Sequence, residues 1–198
     1  MILADDRDGV RILTLDRPDA ANALTEAMLH DLCAAAEGTD AAIPMILTGA
    51  GSRAFSAGAD LAAARAGLAT SPLWERLSAA IAARAGLTVA ALNGTCAGGA
   101  LGMVLACDLR LAVPGARMFY PVARLGFLPQ PSDPVRLARL VGPARAKLML
   151  AAGARWDASE ALAFGLIDRI VPDALAAARE AAAAGDPAHV AAIKAMVP

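Results

Sequence analysis

The sequence predicts an α/β fold of packed layers, closed by a helical C-terminal third. Two observations carry that expectation. Over residues 10–113, apolar runs of strand length alternate with helix patterns, and the early runs end in turn residues. Beyond Asp133 the pattern is almost wholly helical. A length of 198 residues suits one domain with a sizeable core. The expected division is a core over about 1–142 and a helical part over about 143–198.

In order, Val10–Leu15 alternates as a strand and stops at the turn Asp16-Arg17-Pro18. Thr25 is placed to cap a helix to about Glu37, with Leu24, Met28, Leu29 and Leu32 on one face. Residues 44–48 form a short buried strand running into Gly49-Ala50-Gly51. Ser71-Pro72 opens a helix that ends near Gly86. Residues 87–92 are a second buried strand, followed by the turn Asn93-Gly94, a helix over about 98–107 and a strand over 109–113. The remainder reads as helices near 133–141, 143–152, 158–164, 174–184 and 188–196, with a strand near 167–171.

Composition excludes several classes. Eighteen basic against 19 acidic residues give a net charge of -1, so no basic field attracts nucleic acid or an anionic membrane. High apolar content with little net charge excludes disorder. Three cysteines without Cys-x-x-Cys spacing argue against a disulfide framework or a zinc site and suit a reducing cytosol. His30 and His189 stand alone, so no metal is expected. The N-terminus lacks a signal-peptide layout, which completes the expectation of a cytoplasmic protein. Residues 87–107 are uncharged and carry glycine at 94, 98 and 102, the spacing of packed membrane helices. Asn93-Gly94 breaks that run, and a buried strand, turn and helix account for the same letters.

Among motifs, Gly49-Ala50-Gly51-Ser52-Arg53-Ala54 matches the G-x-G-x-x-A form of a dinucleotide loop, but Phe55-Ser56-Ala57-Gly58 after it is a poor helix start. No Walker loop, nucleophile elbow or His-Glu-x-x-His occurs. What remains is a pair of glycine-rich turns after strands: Phe55-Ser56-Ala57-Gly58-Ala59-Asp60-Leu61 and Asn93-Gly94-Thr95-Cys96-Ala97-Gly98-Gly99-Ala100. Glycine lets backbone approach a ligand, and a helix start presents unpaired N–H groups. Two such turns brought together form an oxyanion hole. Glycines that serve only helix–strand packing give the same spacing.

These segments, in this order, resemble the crotonase family, also called enoyl-CoA hydratase/isomerase. The resemblance covers about residues 10–195. Besides the two turns it includes Arg17-Pro18 with Asn22-Ala23-Leu24, Leu47-Thr48-Gly49-Ala50-Gly51, Cys107-Asp108-Leu109-Arg110, Leu140-Val141-Gly142, Ala158-Ser159-Glu160-Ala161 and Gly165-Leu166-Ile167-Asp168. It implies a spiral of β-β-α units, assembled as trimers or pairs of trimers. It implies an acyl-CoA thioester ligand, with coenzyme A as part of the substrate and no separate cofactor. The implied oxyanion-hole donors are the backbone N–H groups of Ala59 and Gly99. The implied substrate neighbours are Ala21, Ala23, Ala57, Asp60 and Leu61 from the first half, then Gly98, Gly102, Pro121 and Val122.

Departures from the family pattern bear on chemistry. Family hydratases use two glutamates, one in the helix after the second glycine turn and one just after a proline on the following strand. Those positions are Gly102 and Val122, so both carboxylates are absent. A third acid position, used by other family members, falls on Gln130, an amide that orients water but does not act as a base. The nearest ionisable substitutes are Asp133 and Arg124, read otherwise as a helix cap and a surface charge. The five glutamates, Glu26, Glu37, Glu75, Glu160 and Glu180, all miss the family positions. The chain also ends soon after Lys194, where relatives continue with helices over the pocket. Two classes of function follow: an enzyme stabilising an enolate with a relocated acid/base, or a non-catalytic acyl-CoA-binding member.

Overall fold

The computed structural model describes residues 1–38 and 40–197; Thr39 and Pro198, which fall within the span 1–198 expected to form one domain, lie outside the described residues. Among the described residues, ten strands form two sheets. The larger has the order β1 (Ile2–Arg7), β2 (Val10–Leu15), β3 (Met45–Gly49), β5 (Thr88–Leu92), β7 (Leu109–Ala112), β10 (Arg169–Ile170). The smaller has the order β4 (Ala54–Ser56), β6 (Thr95–Ala97), β8 (Arg117–Phe119), β9 (Arg155–Asp157). Only β1–β2 and β8–β9 are antiparallel.

Each turn of the chain sends one strand to each sheet and then a helix. Strands β3 and β4 precede α2 (Leu61–Arg65) and α3 (Leu73–Ala82), β5 and β6 precede α4 (Ala100–Leu105), and β7 and β8 precede α5 (Val122–Leu125). This is the expected spiral of β-β-α units. The first helix, α1 (Glu26–Glu37), starts at Thr25, whose hydroxyl accepts from the Met28 N–H at 3.3 Å. It buries Met28, Leu29 and Leu32 as the periodicity requires. Helices α6 (Asp133–Val141), α7 (Pro143–Leu150), α8 (Ala158–Phe164), α9 (Ala174–Ala182) and α10 (Pro187–Lys194) complete the C-terminal part.

Strands β3 and β5 are buried at every position because helices cover both faces of the parallel sheet. On one face, Val10, Ile12, Ile46, Val89 and Leu111 meet the alanines 174, 178 and 182 of α9, whose small side chains allow close approach. On the other, α1, α3 and α4 pack around Leu13, Leu47, Phe55 and Leu101. The motif acids and bases clamp this sheet. Arg110 pairs with Asp168 at 2.9 Å, tying β7 to the segment before β10. Asp108 accepts from the Thr88 N–H and hydroxyl and meets Lys194 at 2.7 Å.

The structure corrects some expectations and agrees with others. Helix α3 ends at Ala82 rather than near Gly86, and Arg84 turns inward to donate to the carbonyl oxygens of Ala36, Asp40 and Ile43. The uncharged stretch 87–107 divides into β5, β6 and the short α4, which begins at Ala100 rather than 98. Among the described residues no helix is long and apolar enough to cross a membrane. The glycine turn after β3 leads into β4, not a helix, which removes the dinucleotide-loop geometry. Val122 heads the short helix α5 instead of lying on a strand.

Candidate active site

Two loops leave the small sheet side by side. Gly58 (φ +91°) follows β4 and Gly98 (φ +59°) follows β6. A Cβ on Gly58 would lie 2.7 Å from the Ala97 carbonyl oxygen and 3.3 Å from the Gly98 Cα. The loops therefore touch backbone to backbone, and the left-handed conformation at both positions favours glycine. Ala59 and Gly99 come one residue beyond that contact. Their N–H groups donate to no described residue, whereas those of Gly58, Asp60 and Gly98 beside them are committed. The Gly58 N–H donates to the Ser56 hydroxyl at 3.1 Å, Asp60 to the Leu24 carbonyl at 2.8 Å, and Gly98 to the Phe119 carbonyl at 3.1 Å.

The Arg17-Pro18…Asn22-Ala23-Leu24 segment holds the first loop in place. Buried Asn22 accepts from the Arg17 N–H at 3.0 Å and donates to the carbonyl oxygens of Ala50 and Ala54 at 2.9 and 2.8 Å. Its own carbonyl accepts from Ser56 Oγ at 2.8 Å, and the Ala21 carbonyl accepts from the Ala57 N–H at 2.9 Å. Asp60 caps α2 through the Ala62 and Ala63 N–H groups and pairs with Arg17 at 2.7 Å. The Arg17 hydrogen bond holds its carboxyl below the usual range.

Both loops open onto a cleft of about 370 Å³. Of the residues singled out in the sequence, Ala57, Ala59, Leu61, Gly98, Gly99, Pro121, Val122 and Gln130 line it. Ala21, Ala23 and Asp60 do not; the Ala21 carbonyl holds the Ala57 N–H, and Arg17 bridges the Ala23 carbonyl and the Asp60 carboxylate. Arg124 is exposed and lies against Gly153, away from the cleft, as a surface charge does. Gly102 stands behind the wall. The sequence reading missed Trp74 and Tyr120, which also line the cleft. The Trp74 indole packs so closely that a Cβ on Gly99 would meet its ring at 3.1–3.2 Å, and its Nε1 donates to the Leu68 carbonyl at 2.7 Å. Of the residues lining the cleft, only Arg65 and Tyr120 carry ionisable side chains.

Asp133 does not cap its helix. Its side chain turns away from the α6 N–H groups, is fully buried, and accepts from the Tyr120 hydroxyl through Oδ2 at 2.8 Å. Oδ1 has no partner among the described residues. A Cβ on Gly102 would lie 2.8 and 2.9 Å from the two carboxyl oxygens. The space where a side chain at 102 would begin is thus filled by an acid from another helix. Burial pushes the Asp133 carboxyl up to about 6, although the Tyr120 hydrogen bond and Arg136 pull the other way. Burial and the Asp133 charge raise the Tyr120 phenol above its ordinary value.

A family model described as enoyl-CoA hydratase/isomerase matches residues 5–197. The chain belongs to the enoyl-CoA hydratase/isomerase family. YngF of Bacillus subtilis, which carries that family's name, is 37% identical over 183 residues, covering 87% of this chain and 70% of its own. The crotonyl-CoA hydratase of Syntrophomonas wolfei is 32% identical over 178 residues, covering 86% and 68%. Among solved structures, an enoyl-CoA hydratase subunit from Geobacillus kaustophilus superposes with a TM-score of 0.87 at 32% identity, covering 99% of this chain and 80% of that one. In this chain a valine stands at 122 on the cleft wall and a glycine at 102 behind it.

Proposed function

We infer that the cleft binds an acyl-CoA thioester, with the thioester oxygen between the N–H groups of Ala59 and Gly99, and that the site stabilises the enolate. The observation that carries this reading is the pair of partnerless N–H groups on two loops that touch backbone to backbone at the cleft wall. Such donors are fixed before charge develops, which is what makes an oxyanion hole effective. Apolar walls supplied by Ala57, Leu61, Trp74 and Val122 suit an acyl chain. Ordinary hydration needs one group to activate water and one to protonate the α carbon; Gly102 and Val122 supply neither.

A non-catalytic acyl-CoA-binding role is the second reading, favoured by the absence of any carboxylate among the residues lining the cleft. The oxyanion-hole assignment is tested with Gly99→Pro, which removes one donor while keeping a φ near the native −59°. Loss of such a donor costs on the order of 10²–10³ in rate. Unchanged thioester turnover, or unchanged binding of an enolate analogue, in a folded variant refutes it. The family resemblance also supports trimer formation; light scattering is expected to give three times the 20.0 kDa chain mass, and a monomer at micromolar concentration refutes it.

A further inference from the structure

We propose that Tyr120 and Asp133 form a proton relay for the acyl-thioester site, Tyr120 exchanging a proton with the substrate α carbon and Asp133 serving as the base behind it. This rests on the thioester reading above. Tyr120 lines the same cleft as Gly99, one of the enolate donors, and Val122. Its hydroxyl is one hydrogen bond from Asp133 Oδ2. Asp133 in turn covers Gly102, the position left without an acid.

Three features argue that the carboxyl is there for chemistry rather than for folding. It makes no helix cap, although it stands at the first position of α6. It is fully buried with Oδ1 unpartnered, an arrangement that costs stability and that a structural acid normally avoids. The loop carrying it is anchored from outside: Glu75 of α3 accepts from the Ser132 N–H and hydroxyl at 3.2 and 3.1 Å, and Arg136 donates to Ser132 Oγ at 2.7 Å.

The step balances within the site. The α C–H bond breaks, its proton bonds to the Tyr120 oxygen, and the phenolic proton passes to Asp133. The electron pair of the C–H bond moves into the enolate, whose oxygen faces the Ala59 and Gly99 N–H groups. Reversal returns a proton to carbon and restores ionised Asp133. The groups facing the carboxyl are Tyr120, Glu75 of α3 and Arg136 of α6, while α4 offers only Gly102. Burial and Glu75 raise its pKa, Tyr120 and Arg136 lower it, and it settles at about 6. A carboxylate so placed is a stronger base than an ordinary one and is still ionised at neutral pH.

The test is hydrogen–deuterium exchange at the α carbon of butyryl-CoA in D2O, followed by NMR, with the enzyme-free rate subtracted. It needs no knowledge of the natural acyl group. Wild type is expected to exchange, with a rate that rises through pH about 6 and then levels. Asp133→Asn and Tyr120→Phe are each expected to slow exchange by about 10²–10⁴. Calorimetry on the same proteins is expected to show butyryl-CoA still bound, which also establishes that the variants fold. Bound butyryl-CoA without wild-type exchange overturns the relay, as does exchange retained by either variant or a flat wild-type pH profile between 5 and 8. Absence of butyryl-CoA binding by wild type overturns the thioester reading itself.

Discussion

Replacing Asp133 with asparagine is expected to make the protein less sensitive to pH, by an amount that follows from burial. The folded carboxyl has a pKa near 6 against an ordinary value of 3.8, a rise of about two units. At 1.36 kcal/mol per unit this corresponds to about 3 kcal/mol. The sign follows from proton uptake: the folded state holds the proton more tightly than the unfolded chain. The group's contribution to stability is therefore fully present below pH 3.8 and is lost as pH rises through 6. Asparagine keeps an acceptor for the Tyr120 hydroxyl, has nearly the same shape and does not titrate. Variant and wild type share every other ionisable group, so their difference isolates this one. In urea unfolding at fixed protein concentration, the variant is expected to gain on wild type between pH 4 and pH 8, by most of that 3 kcal/mol. A difference that stays constant across this range refutes the buried, raised carboxyl.

Two further perturbations probe the same wall and the loop behind it. Gly102→Ala places a methyl 2.8–2.9 Å from the Asp133 oxygens and is expected to cost roughly 1–3 kcal/mol; a urea double-mutant cycle with Asp133→Gly is expected to remove most of that cost, and additivity refutes the contact. Asn22→Ala strips partners from the Arg17 N–H and the Ala50 and Ala54 carbonyls. It is expected to cost on the order of 3 kcal/mol and to weaken acyl-CoA binding, read by thermal melting and calorimetry.

Long elements were legible from sequence, short ones were not. Thr25 with the 28/29/32 spacing specifies α1, and the apolar runs at 45–49 and 88–92 specify strands buried on both faces. The small sheet is built from three-residue strands, too short to show a period, so β4, β6, β8 and β9 passed as turns or loops. Strand β1 was missed because its ILADDR sequence is mostly exposed and pairs only with β2 at the sheet edge. At the site, glycines 58 and 98 carried a signal because their left-handed backbone favours that residue and the close approach at Gly58 leaves no room for a Cβ. Gln130 did fall on the cleft wall. The Tyr120–Asp133–Gly102 contact joins residues from three separate elements, and no local pattern announces it. The one hint is that Tyr120, the chain's only tyrosine, directly precedes Pro121-Val122.

The decisive measurement is crotonyl-CoA hydration followed spectrophotometrically, at concentrations where calorimetry shows the cleft filled. On the proposed reading, backbone donors at Ala59 and Gly99 keep binding intact, Gly102 and Val122 supply no group to activate water, and the Tyr120–Asp133 pair serves only the α carbon. The expected result is clear binding with hydration slower by about 10²–10⁴ than in a hydratase that has both glutamates. Hydration at the rate of such an enzyme, or no binding of crotonyl-CoA, contradicts the proposed site.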